Sequence, residues 1–237
     1  MSAIRIDTVR VWDLPLRIFH WLLVLAIAAA YVTGEFGGSE WAQWHGRIGW
    51  LILGLLLFRL IWGVIGSWHA RFANFLPTPA RVIAYVRGEW QGVGHNPLGA
   101  LSVVALLALV TAQVATGLFA SDDIAFAGPL SNWIGKSASD RLTGWHEQIF
   151  YVLAGFIVLH VVAIAFYLLV RKSNLIAAMI TGNKPGSGAL QAWTEKPLAW
   201  RFLVAALVAA TVSWWIFSSP PSLQAEAAAA PAATADW

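Results

Sequence analysis

Residues 143–171 read TGWHEQIFYVLAGFIVLHVVAIAFYLLVR, and the fold turns on this stretch. From His146 to Leu169 the only charged side chain is Glu147, next to the start. At about 1.5 Å rise per residue, such a run is long enough to cross a hydrocarbon core about 30 Å thick. It reads as a transmembrane helix carrying His146 and His160. The two histidines are fourteen residues apart (160 − 146), or two heptads. At the period of supercoiled bundles both imidazoles look out from nearly the same face, about 21 Å apart along the axis. A strongly polar side chain in lipid is costly and turns toward the bundle interior and a partner, so each histidine marks a candidate site.

The rest of the composition agrees with a membrane setting. Of 237 residues, 59% are hydrophobic and only 11% charged, against roughly half and a quarter in soluble domains. So little chain lies outside the spans that one bundle is expected. The net charge of +3 fits interfacial anchoring, and with no basic stripe interleaved with aromatics a nucleic-acid surface is not expected. The absence of cysteine excludes disulfides, thiolate-held iron–sulfur clusters and covalently attached c-type haem.

Working outward, the first span is expected from about Leu16 to Thr33, ended by Gly34 and the Gly37-Gly38 pair. Arg5, Arg10 and Arg17 before an apolar run give it the outline of a secretory signal. The spans that follow and His20 within it argue for a retained helix. The second span is expected from Trp44-His45 to about Val64, the third from Leu98 to Phe119 with Asn96 and Pro97 as cap and first-turn residues, and the fourth is the stretch quoted above. Between the second and third, Thr78 and Pro79 open a short helix expected to lie on the membrane surface. The expected organisation is an all-α membrane protein: a four-helix bundle over 1–180, a basic linker and fifth transmembrane helix over 181–217, and a disordered Ala/Pro-rich tail over 218–237. Trp12, Trp21, Trp41, Trp44, Trp62, Trp68 and Trp145 read mainly as belt residues at the span ends.

Basic residues set the orientation. Arg5, Arg10, Arg17, Arg59, Arg71, Arg81, Arg87, Arg171, Lys172, Lys184, Lys196 and Arg201 fall on one side, and only Arg47, Lys136 and Arg141 on the other. The N-terminus is therefore expected in the cytoplasm and, with five spans, the C-terminus in the periplasm.

Orientation turns histidine positions into depths. His45 and His146 open the second and fourth spans at the outer face. His160 lies fourteen residues deeper than His146, and His20 lies fourteen residues from Gly34 at the outer end of its span (34 − 20). The expected pairs are His45 with His146 and His20 with His160. Two bis-histidine sites stacked across a bilayer suit two non-covalent b haems with the iron held from both sides. Haem propionates call for cationic partners near each face. Arg17 and Arg59 are the inner candidates, and Arg47 and Arg141 the outer ones. For each, the structural alternative is an anchor that snorkels to phosphate head groups.

Four pieces carry a resemblance: VRVWDLPLRIFHW, WHGRIGW, GHNPLGALSVVALL and WHEQIFYVLAGFIVLH. Over roughly residues 8–180 the chain resembles the bacterial cytochrome b561 and Ni/Fe-hydrogenase b-type cytochrome family. The resemblance implies two haem b held by His20, His45, His146 and His160. It also implies electron transfer across the bacterial inner membrane between a periplasmic dehydrogenase or c-type cytochrome and the quinone pool. Quinone is then a substrate, and lipid and the periplasmic redox protein are partners. A homodimer is among the open oligomeric states. The fifth run and the tail depart from the four-span members.

Within redox chemistry the alternative is a stand-alone superoxide:ubiquinone oxidoreductase. From other classes come a His-lined metal or proton transporter and a structural anchor. A transporter calls for carboxylates or broken helices at mid-bilayer, and the spans hold no interior Asp or Glu beyond Glu147. An anchor leaves the matched histidine depths without a purpose. His69 and His95 read as loop histidines rather than ligands, with proton relay or a place beside a quinone pocket as their functional alternative.

Overall fold

The structure is a computed structural model that describes residues 8–90, 92, 94–124, 126–185 and 199–218. In chain order, β1 (Thr8–Arg10) leads into α1 (Leu14–Glu35), α2 (Gly38–Ile65), α3 (Phe72–Phe75), α4 (Pro79–Val86) and α5 (Pro97–Phe119). Then come α6 (Lys136–Leu169), α7 (Leu175–Thr181), β2 (Asn183–Pro185) and α8 (Ala199–Phe217). Five of these, α1, α2, α5, α6 and α8, are long and apolar enough to cross a membrane, and the chain is a multi-pass membrane protein.

Capping fixes where several helices start. The Asp13 carboxylate accepts from the Leu16 amide at 2.7 Å and opens α1. Thr78 caps α4 with Pro79 behind it, and Asn96 accepts from the Gly99 amide at 2.7 Å to open α5, both as expected. Two starts differ from expectation. The second span begins at Gly38 rather than Trp44, because the glycine pair, with Gly38 at φ +57°, reverses the chain tightly and Glu40 to Gln43 continue the helix. The fourth begins at Lys136 rather than near His146. Its extra turns are polar but hold together through the Lys136–Asp140 pair at 3.2 Å and through Ser139, whose hydroxyl donates to the Phe119 carbonyl at 2.7 Å.

At 34 residues α6 is about 51 Å long, so its first turns project beyond the apolar zone. The fifth run begins at Ala199 and packs on the outside of α2. The tail expectation, from 219 onward, lies outside the described residues.

Helices α1, α2, α5 and α6 share a core of Ala26, Ile52, Leu56, Val110 and Leu153. Helix α8 docks through Ala205, Ala209 and Ser213, small residues every fourth position that let it approach α2 at Gly54. A second core of Val11, Trp12, Leu16, Phe19, Phe58, Trp62 and Ala178 plugs the end of the bundle where the chain starts. There β1 pairs antiparallel with β2, Val9 opposite Lys184, and the amides of Val11 and Trp12 both donate to the Gly182 carbonyl. Gly182 is required here: its φ is +86°, and a Cβ would sit 2.6 Å from the Trp12 carbonyl oxygen.

Candidate functional site

The bundle has two ends. At the hairpin end, where α1 turns into α2, stand His45 and His146. Their ring centroids are 6.1 Å apart and their planes nearly perpendicular at 86°. Each Nδ1 is committed: His45 to the Ala30 carbonyl and His146 to the Gln113 carbonyl, both at 2.9 Å. A ring tied at Nδ1 to a carbonyl is the tautomer that presents an Nε2 lone pair to a metal. With metal–imidazole bonds of about 2 Å each, this separation suits two rings holding one iron from opposite sides.

Both rings sit in the same kind of seat. Thr33 donates back to the Ala29 carbonyl at 2.8 Å and lies 3.4 Å from His45 Nδ1. Thr116 does the same with Ala112 at 2.8 Å and lies 3.3 Å from His146 Nδ1. The next residue is glycine in each case. A Cβ on Gly34 would meet the His45 ring at 3.0 Å, and one on Gly117 the His146 ring at 2.8 Å. The seats are a sequence repeat: Ala29-x-x-x-Thr33-Gly34 before Trp44-His45-x-x-Ile48, and Ala112-x-x-x-Thr116-Gly117 before Trp145-His146-x-x-Ile149. The sequence expectations contain the histidines but not the seats. Comparing the two WH motifs and reading backward from each would have found them. Gln113 is also new: its amide nitrogen is 3.1 Å from His146 Nε2 while its Oε1 is buried without a partner. That side chain occupies the approach to the ring.

Deeper in the bundle, His20 on α1 and His160 on α6 lie close enough to interact electrostatically. Ser102 Oγ is 3.4 Å from His160 Nδ1, and His20 Nδ1 is buried without a partner. The structure therefore brings the hairpin pair into ring-to-ring contact and leaves His20 and His160 within electrostatic reach of each other.

The prokaryotic cytochrome b561 family model matches residues 11–182, which holds all four histidines and both seats. The chain belongs to that family. Among curated relatives, a probable Ni/Fe-hydrogenase B-type cytochrome subunit of Azotobacter chroococcum mcd 1 is 25% identical, covering 73% of this chain and 87% of the relative. One from Cupriavidus necator is 24% identical over 77% of this chain and 89% of its own. A probable Ni/Fe-hydrogenase 1 B-type cytochrome subunit of Escherichia coli K12 is 22% identical, covering 73% and 89%. No solved structure gives a significant match.

As a b-type cytochrome the chain takes haem b, held without a thioether since there is no cysteine. The residues fit that group on three counts: at the hairpin end, imidazole donors fixed in the ligating tautomer and glycine seats that a Cβ would fill, and at both depths an orphaned polar atom, Gln113 Oε1 beside His146 and His20 Nδ1 itself.

The four arginines of this cytochrome go to different places. Arg47 is exposed, its guanidinium 4.9 Å over the Trp44 ring, and Arg141 is exposed on the first turns of α6. Arg17 donates to the Ile180 carbonyl and so ties α1 to α7. Arg59 is only 2% exposed, which rules out a snorkelling anchor. Its guanidinium lies 4.5 Å over the Phe72 ring, within electrostatic reach of Asp13 and His95. Asp13 thus serves three groups: the α1 amide, Trp62 Nε1 at 2.9 Å and the Ser67 hydroxyl.

His69 and His95 flank Trp12 at this N-terminal end, with ring centroids 6.5 and 4.4 Å from it. Burial first, then Lys184, Arg59 and His69, push His95 down to about 3. Burial and Lys184 also hold His69 below its ordinary value. Helix α4 is clasped to the bundle where Tyr85 and Asn96 both bond the Tyr167 hydroxyl, Asn96 at 2.6 Å.

Proposed function

We propose that this protein is a di-haem membrane cytochrome relaying single electrons between a periplasmic redox partner and the quinone pool, with His45 and His146 holding one haem b and His20 and His160 the other. The observation that carries this reading is the perpendicular His45–His146 pair at 6.1 Å with both Nδ1 atoms bonded to backbone carbonyls. Held by His45 with His146 and by His20 with His160, haem b would supply a one-electron carrier rather than an oxygen-activating centre.

The chain's own residues do the rest. The Ala30 and Gln113 carbonyls fix each ring's tautomer and raise the basicity of its ligating nitrogen, and Thr33 and Thr116 hold the backbone that presents those carbonyls. Leu56, Val110 and Leu153, all nearly fully buried, keep water out between the two depths. The relatives named as Ni/Fe-hydrogenase cytochrome subunits support a periplasmic hydrogenase or similar dehydrogenase as the electron source. Charge distribution supports a bacterial inner-membrane setting with the N-terminus in the cytoplasm. The hairpin end then faces the periplasm and the N-terminal end the cytoplasm.

The test is a reduced-minus-oxidised absorption spectrum of the purified protein with a haem-to-protein ratio. A b-type spectrum at a ratio near two is the expected result. A colourless protein ends the proposal, and a ratio of one removes the deeper site.

A further inference from the structure

We infer that the Gln113 side chain is a latch over the ligating nitrogen of His146, so that the two imidazoles at the hairpin end are unequal, His45 open to a metal and His146 guarded. The inference rests on the haem reading above and adds a positioning residue to it. In the duplicated seat Gln113 corresponds to Ala30. Each follows the alanine that opens Ala-x-x-x-Thr-Gly, and the carbonyl of each accepts from a histidine Nδ1 at 2.9 Å. The main chains match and the side chains do not. Where α1 has a methyl group, α5 has its one amide side chain.

The same residue prepares the ligating atom and covers it. Because the Gln113 carbonyl accepts at Nδ1, that nitrogen carries the ring's proton and Nε2 carries its lone pair. The amide nitrogen meets Nε2 at 3.1 Å, and an amide nitrogen has only N–H to offer a lone pair. The Gln113 side chain therefore donates to the electron pair that an iron would use. One lone pair serves one of the two at a time. In the other half of the repeat, Ala30 fixes the His45 tautomer in the same way, and among the described residues nothing donates to His45 Nε2.

The latch is weak by construction. An amide in a membrane span calls for partners, and this one satisfies its nitrogen only, since Oε1 is buried with none. A half-satisfied amide yields the nitrogen to a metal bond. It recaptures the nitrogen whenever that bond opens, and so delays its re-forming. The ring itself has little freedom to move: a Cβ on Gly117 would lie 2.8 Å from it, and Thr116 Oγ1 stands 3.3 Å from its Nδ1. The exchange is therefore a motion of the Gln113 side chain over a fixed imidazole. It belongs to the hairpin end alone, because at the deeper pair the polar neighbour of His160 is the Ser102 hydroxyl, 3.4 Å from Nδ1.

The experiment follows haem loss from the full-length haem-loaded protein in phosphatidylcholine nanodiscs to an excess of apomyoglobin, with His146→Ala marking which phase of the trace belongs to the hairpin end. Gln113→Met keeps the length of the side chain and removes the donor. The hairpin-end phase should slow by about fivefold, the worth of one ordinary hydrogen bond, while the deeper phase stays as it was. Ala30→Gln installs a second latch and should speed the hairpin-end phase by a similar factor, with Ala30→Met as its size-matched control. A residue that only fills space gives no gain in retention when replaced. The electron paramagnetic resonance spectrum of oxidised Gln113→Met should match the parent, since Gly117, Thr116 and the main-chain carbonyl set the ring. Equal or faster hairpin-end loss from Gln113→Met overturns the latch and leaves the haem reading standing. Where that variant does not fold, Ala30→Gln decides, and loss no faster than from Ala30→Met overturns the latch. A trace with no phase that His146→Ala removes sinks the hairpin-end haem and the latch with it.

Discussion

The hairpin end and the N-terminal end solve the same problem differently. At the hairpin end each half of the chain brings its own copy of one device: a Thr-Gly pair closing the first helix and a Trp-His pair in the next, so that His45 leans on α1 and His146 on α5. The N-terminal end breaks the repeat. Fourteen residues past His146 comes His160, whereas fourteen past His45 (59 − 45) comes Arg59. The histidine within electrostatic reach of His160 is instead His20 of α1, and the arginine is turned into the packing around Phe72. A site seated by neighbouring helices is determined locally. One assembled from the first and last helices of the bundle depends on closure of the whole.

The most severe way to test that difference is to remove one ligand at each end. His146→Ala should abolish the hairpin-end haem and leave the deeper spectrum, and His160→Ala should do the reverse. Loss of both haems in either variant would mean the two ends are one cooperative unit. Next in size, Gly117→Leu drives a side chain into the His146 ring and adds about 1–3 kcal/mol of overpacking. It should empty the hairpin-end site selectively, read by haem stoichiometry. Equal loss at both depths would deny the local seat.

Smaller effects are expected from Thr33→Val and Thr116→Val. Each should weaken haem retention at the hairpin end, by about tenfold, and shift one midpoint potential in a redox titration. The repeat requires the two variants to behave alike, and a response in one alone would break the equivalence.

The smallest effect sharpens the contrast from the other end. His95 is held down to about 3, against an ordinary 6.5. Between those values the unfolded chain binds a proton that the folded one refuses, so stability falls as pH drops through that window and is level above it. The slope from this group is at most about 1.4 kcal/mol per pH unit. Thermal denaturation at pH 7.5 and pH 5 should show His95→Leu losing less on acidification than the parent. Identical losses would show that the histidine is not shielded.

Much of this was legible in the chain because the determinants are one-dimensional. Hydropathy located five spans, and Thr78 and Asn96 act as caps where the local pattern placed them. The meeting of His45 with His146 followed from depth counting along apolar runs. The starts of α2 and α6 did not, because both open with polar turns while apolarity was the guide. The triple role of Asp13 and the burial of Arg59 were also out of reach, since they depend on α3 folding back over α2, where a Cβ on Gly63 would lie 2.0 Å from the Phe72 ring. A cavity beside His95 is a product of the same long-range closure, with walls drawn from the segment 68–97.

The short ribbon of β1 and β2 sets an order of assembly. His20, His45, His146 and His160 all precede Asn183, so the chain presents them to the membrane before the strand that fastens its beginning has been made. The first strand waits for the second, and with it the Trp12 floor beneath His95. During biogenesis that end of the bundle thus stays unfastened until synthesis has passed residue 185.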